Sequence, residues 1–385
     1  FINQLINNIL VMNIFYIGSP QLFGEGASSI HVARMCEAFA ELGHNVELIL
    51  PIEIEKVEDF FSYYNVNSTF KINRTFGLNS GPLRHMLHGF MSLFKMFSVD
   101  SYDFIITRNI TFAYLASFFK QRIVIDIHHP PINYLSKIAI RRFIKVKNIV
   151  KISCNSEGTK KNLEKNFGFS KKFQVLHNGV NLKTFKPNKD IDLFKQDLEI
   201  PKSNTVASYI GNTYKGRGIE KIIELSKINK NIFFLIVGGE DSDNDDYADL
   251  LGSNQKNILF TGHIKNIDIP NYLGVSDILL IPYSSDFTIK GGSMAFDYSS
   301  PIKIFEYLAS GKPIIASDLP SISRILTHNV NSILVDPNST QALNNALNLL
   351  VNNQKLSKEM SQNCLNLSKE FTWLNRALMM LKRVR

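Results

Sequence analysis

Lys303 stands where a helix least favours a cation. In "YSSPIKIFEYLASGKP" (298–313) a serine N-cap and Pro301 at the first helical position open a helix, and Gly311 closes it. Lys303 then falls in the first turn, beside the positive end of the helix dipole, where a carboxylate is normally favoured. Free amides at a helix start, together with a cation, make an anion site, and a phosphate would turn the unfavourable contact into a favourable one. Glu306, one turn further along the same face, is placed to accept from ribose hydroxyls; the plain alternative is an ion pair with Lys303 at the surface. A solvated Lys303 is the usual state of such a residue. The glycine-rich approach "IKGGSMAFDYSS" (289–300) argues for the anion instead.

Two more glycine stretches precede helices. "IGNTYKGRGIE" (210–220) follows a strand and places Lys215 and Arg217 within reach of a diphosphate, while "GSPQLFGEGASSIH" (18–31) sets Gly24 and Gly26 before a serine-capped helix. Neither is diagnostic alone, because αβ connections are often glycine-rich. "IDIHHPP" puts His128 and His129 just past a strand's carboxyl end, where α/β folds place ligands, although a histidine there is more often structural. The acidic run "EDSDNDDYAD" (240–249) reads as a solvated loop rather than a hard-metal site. "RRFIKVK" (141–147) is a basic helix entering a buried strand, or, on the sharper reading, a patch for an anionic membrane surface.

The elements that must position these residues follow from the pattern. With 385 residues, 44% of them hydrophobic, the chain suits two domains and excludes global disorder. Its 43 Lys and Arg against 34 Asp and Glu give +9, a basic surface with room for an anionic partner. No cationic block is interleaved with aromatics, so no nucleic acid is expected. Short apolar runs recur at 13–18, 45–50, 103–108, 122–127, 148–153 and 173–179, then at 205–211, 232–239, 257–262, 277–283, 313–318 and 332–336, with helical patterns between many of them. Continuous apolar strands alternating with helices mean buried parallel sheets, hence an α/β class with two doubly wound domains facing one cleft. The polar stretch 181–204 separates the series, giving domains 12–183 and 184–365 and a C-terminal helix, 366–385, that packs back toward the first domain. In that tail Phe371, Leu374, Leu378 and Leu381 are expected to form the packing stripe. Residues 1–11 are apolar without a cationic stretch or cleavage site, and no run approaches the roughly 20 apolar residues of a membrane span. Three scattered cysteines, Cys36, Cys154 and Cys364, make no disulfide or metal framework and suit a reducing cytoplasm, with attachment to the inner face of the membrane as an option.

Several motifs in order carry a resemblance: "SSIHVARMCEAFAELGHNVELI", "SCNSEGTKKNLEKNFGFSKKFQVLHNGVNLKTFKP", "NILFTGHI", "VSDILLIPY", "PIKIFEYLASGKPIIASDLPSI" and "FTWLNRA". The chain resembles the family-4 retaining glycosyltransferases of GT-B fold from Met12 almost to its end. The resemblance implies a nucleotide-sugar donor (UDP or GDP), a saccharide or lipid-linked acceptor, and no metal or other cofactor. It also implies roles: His128 beside the donor sugar, Arg217 in the phosphate-binding pair, Glu306 on the ribose, Ser300, Pro301 and Ile302 with Lys303 against sugar and diphosphate, and His263 and Ile264 by the base. Two positions depart from the family pattern. Tyr298 replaces the first glutamate of a Glu-x7-Glu motif, with Asp297 adjacent but out of register, and Asn212 replaces a loop arginine, leaving Lys215 or Lys303 to supply that charge. A sugar-nucleotide epimerase and a non-catalytic sugar-nucleotide-binding protein are the alternatives.

Overall fold

The computed structural model describes residues 10–18, 27–51, 57–76, 78, 83–98, 102–183, 185–239, 247–251, 255–286 and 300–382. They form two compact units, one running to Asn178 and taking up the chain again from Trp373, the other spanning Gly179–Thr372.

In the first unit, seven strands pair in parallel: β1 (Asn13–Ile17), β2 (Asn45–Pro51), β3 (Lys71–Thr75), β4 (Phe104–Thr107), β5 (Ile123–Ile127), β6 (Ile149–Cys154) and β7 (Phe173–Val175). Their order is β3-β2-β1-β4-β5-β6-β7. The second unit holds β8 (Thr205–Ile210), β9 (Ile232–Val237), β10 (Ile258–Phe260), β11 (Ile278–Ile281), β12 (Ile314–Ser317) and β13 (Ser332–Val335), ordered β10-β9-β8-β11-β12-β13 and again all parallel. Helices cover both faces, so central strands such as "IVIDI" and "IFFLIV" are buried along their whole length. In each sheet the strand order reverses once, between β1 and β4 and between β8 and β11. A crevice opens at the carboxyl ends of the strands at such a point, and that is where doubly wound folds bind ligands.

Three expectations change. β3, "KINRT", is absent from the series of apolar runs because it is an edge strand with charged and half-exposed positions. The units divide at Asn178/Gly179 rather than at 183/184. Val180 already donates its N–H to the Phe371 carbonyl (3.0 Å) and bridges Thr372, so the chain has joined the second unit by then. The tail is also divided. Helix Gln354–Ser368 belongs to the second unit, and the helix that joins the first unit is Trp373–Leu381, packed on helix Ala27–Glu41. Its inward face is Trp373, Arg376, Ala377 and Met380, not the leucine stripe, and Phe371 instead packs on Phe305 of the second unit. Polar contacts set that rotation. The buried Lys151 ammonium caps the helix, donating to the carbonyls of Met379 (2.7 Å), Met380 (2.9 Å) and Lys382 (2.8 Å), and Arg376 reaches inward to a carboxylate described below.

No helix of the described residues is long and apolar enough to cross a membrane. The three cysteines are buried and free.

Candidate functional site

In the second unit the site begins where β8 ends. Gly211 (φ +138°) turns the chain into a loop that tyrosines hold in place. The Tyr307 hydroxyl accepts from the Ile210 amide (2.8 Å), while Tyr209 donates to the Asn212 carbonyl and Tyr247 to the Thr213 carbonyl, both at 2.6 Å. Gly218 closes the loop with φ +77°, and a Cβ there would strike the Pro282 carbonyl just past β11. Only glycine fits, and the loop is thereby pressed against the crevice.

Lys303 reaches back over this loop. It is the second residue of helix Ile302–Ser310, which starts with Pro301 in the cap position (φ −62°, ψ 122°) and no side-chain cap. The expected placement of Pro301 inside the first turn fails because its extended ψ keeps it outside the helix. Gly311 ends the helix in the left-handed region (φ +66°) as expected. The Lys303 Nζ is buried so close to Gly211 that a Cβ there would collide with it. It lies 4.0 Å from the centre of the Tyr209 ring and 5.3 Å from that of Tyr283. The Arg217 guanidinium stacks 4.6 Å from the same Tyr283 ring and 4.5 Å from Tyr214, whose hydroxyl it also meets. Two cations therefore share one aromatic wall at the switch point of the sheet. Burial, then the neighbouring Arg217 charge, lowers the Lys303 pKa. Burial pushes the Tyr283 hydroxyl up, but Arg217 and Lys303 outweigh it and bring the group below its ordinary value. The Tyr283 shift marks a pocket rich in positive charge that an anion would relieve.

The remaining residues fall around this core. Ser300 and Ile302 flank the cap and are half-buried, as is Glu306 one turn beyond Lys303. Asn212 and Lys215 are exposed, so Lys303, not Lys215, is the cation set against Gly211. Exposed His263 and half-buried Ile264 follow Gly262, whose carbonyl accepts from the Gly238 amide (2.9 Å) beside the same loop. Gly24, Gly26, Asp297 and Tyr298 lie outside the described residues.

In the first unit, His128 follows the carboxyl end of β5 and points Nε2 at Asp126 Oδ2 (3.0 Å). His31 points its own Nε2 at the same oxygen (2.9 Å), and Arg376 donates to Oδ1 (2.7 Å). Arg376 also donates to the His177 carbonyl (3.0 Å), and His31 Nδ1 sits 3.1 Å from the Asn178 carboxamide. Burial drives His31 down to about 4 and His128 well below its ordinary value. Burial alone would raise Asp126, yet Arg376, then His128 and His31, hold it well below the usual carboxylate range. At neutral pH the cluster is thus one carboxylate, one guanidinium and two imidazoles whose charged forms burial disfavours, with His128 donating through Nε2 and both His31 nitrogens facing oxygen acceptors, Asp126 Oδ2 and Asn178 Oδ1. That tautomer makes His128 Nδ1 an acceptor. His129 is exposed and takes no part in the Asp126 cluster.

Sequence reasoning missed Asp126, His31 and Arg376, which share no local pattern; Asp126 and Arg376 alone lie 250 positions apart. His31, Asp126 and His128 also have the donor types of a metal site. Here the carboxylate charge is already met by Arg376, and each imidazole presents an N–H rather than a lone pair to it, so the set fits a proton network better than a cation.

These two sites sit on a recognisable frame. Residues 190–366 match the family model for glycosyl transferases group 1, and residues 28–184 match that for glycosyltransferase family 4. The two matches follow one another along the chain, so each half of it is similar to a glycosyltransferase family model. Among curated relatives, TuaH of Bacillus subtilis, a glycosyltransferase assigned to teichuronic acid biosynthesis, is 27% identical over 45% of this chain and 42% of its own. An uncharacterized glycosyltransferase of Methanocaldococcus jannaschii is 28% identical over 50% and 52%. The chain thus spans about half the length of the curated relatives it matches. Solved structures match it over nearly all its length. Anabaena HepE in complex with UDP-glucose has a TM-score of 0.74 at 16% identity, covering 96% of this chain and 98% of its own. A Rickettsia africae glycosyltransferase has 0.73 at 18%, covering 96% and 97%. At such identities the likeness speaks for the fold.

Proposed function

We propose that this protein transfers a sugar, with retention of anomeric configuration, from a nucleoside-diphosphate donor to an acceptor hydroxyl in the assembly of a glycan or glycolipid. The observation that carries the reading is the pair of cations, Arg217 and Lys303, stacked on Tyr283 over the glycine loop at the switch point of the second sheet. In glycosyl transfer negative charge grows on the leaving diphosphate, and preorganised cations and helix amides aimed at it lower the barrier. Two fixed cations can meet that charge without a metal ion. Glu306 is assigned the ribose, and the segment through His263 and Ile264 the base. UDP is the favoured nucleotide, because a UDP-glucose complex is among the structures of similar fold. The leaving phosphate is the group assigned to take the acceptor's proton.

Incubation with UDP-, GDP- and ADP-sugars should release nucleoside diphosphate from at least one donor, and Arg217→Ala should slow the release about a hundred- to a thousand-fold. Tight binding of a donor with no release and no transfer to any saccharide or lipid acceptor would establish the binding-protein alternative. Interconversion of donor sugars would establish the epimerase.

His128 is assigned to the sugar, through an Nδ1 that accepts because Asp126 fixes the opposite tautomer. His128→Ala should reduce transfer about ten- to a hundred-fold, the worth of a hydrogen bond in a preorganised site, with nucleoside diphosphate affinity and melting temperature near their starting values. A collapsed melting transition would make the residue structural instead.

A further inference from the structure

Helix Arg84–Phe97 is mounted inside out. Its inward residues are Arg84, His88, Gly89, Ser92 and Met96, while Leu83, Met86, Phe90, Phe94 and Phe97 recur every third or fourth position along the outward face. Phe90, Phe94 and Phe97 are 46%, 58% and 55% exposed, a cost a water-facing helix does not ordinarily carry. The stripe continues onto the next elements. Phe97 packs edge-on against half-exposed Phe119 (4.8 Å), and its neighbour Phe118 lies under the Arg142 guanidinium (3.7 Å) of helix Tyr134–Lys145.

Charge along this stripe is mostly positive, with exposed Asp103, between helix Arg84–Phe97 and β4, of the opposite sign. The chain has 34 carboxylates in 385 residues, yet none falls within 83–98, 104–125 or 127–156, which together carry 11 Lys and Arg. Of these, Lys120, Arg122, Lys137, Arg141, Lys145 and Lys147 are exposed. A soluble surface mixes signs, and a protein partner's groove would meet aromatics with donors and acceptors of both kinds. A mostly cationic face with outward-facing phenylalanines matches an anionic bilayer, where rings enter the headgroup boundary and lysines meet lipid phosphates.

We infer that this face of the first unit, the outer sides of helices Arg84–Phe97 and Tyr134–Lys145 with the Phe118–Lys120 turn between them, docks on a membrane surface rich in anionic lipid. The inference enlarges the docking surface from the single basic run 141–147 to an apolar stripe with a cationic border. It stands whether or not the donor is a sugar nucleotide.

Sedimentation of the full chain with vesicles tests it. The protein should pellet with phosphatidylcholine vesicles containing about one third phosphatidylglycerol, weakly with phosphatidylcholine alone, and less as salt shortens the reach of the charges. The triple variant Phe90→Gln, Phe94→Gln, Phe97→Gln keeps helix propensity and should stay in the supernatant at every salt concentration. Lys120→Glu with Arg141→Glu and Lys145→Glu should bind about a hundred-fold more weakly at low salt, from roughly five-fold per cation removed. These cations are exposed, so the second variant keeps the test valid even if the first misfolds. Wild-type protein that stays soluble with anionic vesicles overturns the inference. So does a dimer, seen by light scattering, that the glutamine variant dissolves while vesicles do not compete, since the face would then belong to a second copy.

Discussion

Replacing Arg217 or Lys303 by alanine is expected to lower sugar transfer about a hundred- to a thousand-fold, the loss of one preorganised donor to a developing anion, roughly 3–4 kcal/mol. Nucleoside diphosphate affinity should fall with it and nucleoside affinity should not, because the lost bonds are charge-assisted bonds to phosphate. The two substitutions should then part company in stability. Lys303 is a buried cation with its pKa lowered by burial and by Arg217, so its charged form costs the folded state. A lowered lysine binds its proton less readily folded than unfolded, so this cost is full below the folded pKa and is removed as pH rises from there to the unfolded one. Lys303→Met should therefore leave the melting temperature unchanged or raise it while abolishing transfer. Such a gain is the signature of a group held for function rather than for folding. The same shift sets a pH dependence. A bound diphosphate favours the ammonium form, so affinity should be full below the lowered Lys303 pKa and decline above it, at a lower pH than an ordinary lysine would give. Calorimetry across alkaline pH reads this directly. An affinity indifferent to pH, or equal losses for nucleoside and diphosphate, would remove Lys303 from the phosphate.

What was legible in the sequence was whatever is written locally. Buried parallel strands announce themselves as apolar runs, and β3 alone among the described strands escaped because an edge strand need not be apolar. Lys303 stood out because it violates a local rule, a cation beside the positive helix end, and the fold sets its Nζ against Gly211 and the Tyr209 ring. The domain split erred by five residues because a polar linker reads alike on either side of the boundary, whereas the bridge from Val180 to Thr372 that fixes it joins positions nearly 200 apart. The Asp126 cluster and the tyrosine frame of the loop are assembled by the fold from distant segments, and no spacing rule reaches them. The inverted helix was hidden differently. Its periodicity states amphipathicity, and only the packing of Arg84, His88 and Ser92 inward states which side faces out.

Arg376→Leu is expected to destabilise the first unit by about 3–5 kcal/mol, because it strands Asp126 as a buried carboxylate without its guanidinium. The ion pair is not itself a large source of stability, since desolvating both charges consumes most of their attraction. A double-mutant cycle separates these statements. Asp126→Asn with Arg376→Leu leaves no buried charge and should recover much of the loss, so that the two effects are far from additive. Acid should produce a related unfolding in the unaltered protein. His31 and buried His88 are each held down to about 4, so between their unfolded value near 6.5 and that limit the unfolded chain binds protons that the folded chain refuses. Each contributes stability that is complete above about pH 6.5 and falls by about 3 kcal/mol as pH drops to 4. Asp126, lowered in the folded state, acts in the same sense at still lower pH, where its protonation removes the partner of Arg376. The melting temperature should thus fall steeply between pH 6.5 and 4, and His88→Asn should flatten the curve, because an amide keeps hydrogen-bonding capacity without titrating. His31→Asn should flatten it too and should also disturb the His128 ring, which packs edge-on against it at 4.5 Å. Transfer would then fall with His31→Asn and not with His88→Asn. A flat stability profile from neutral pH to 4 would mean that the imidazoles are charged in the folded protein, and His128 would then donate where it is here assigned to accept.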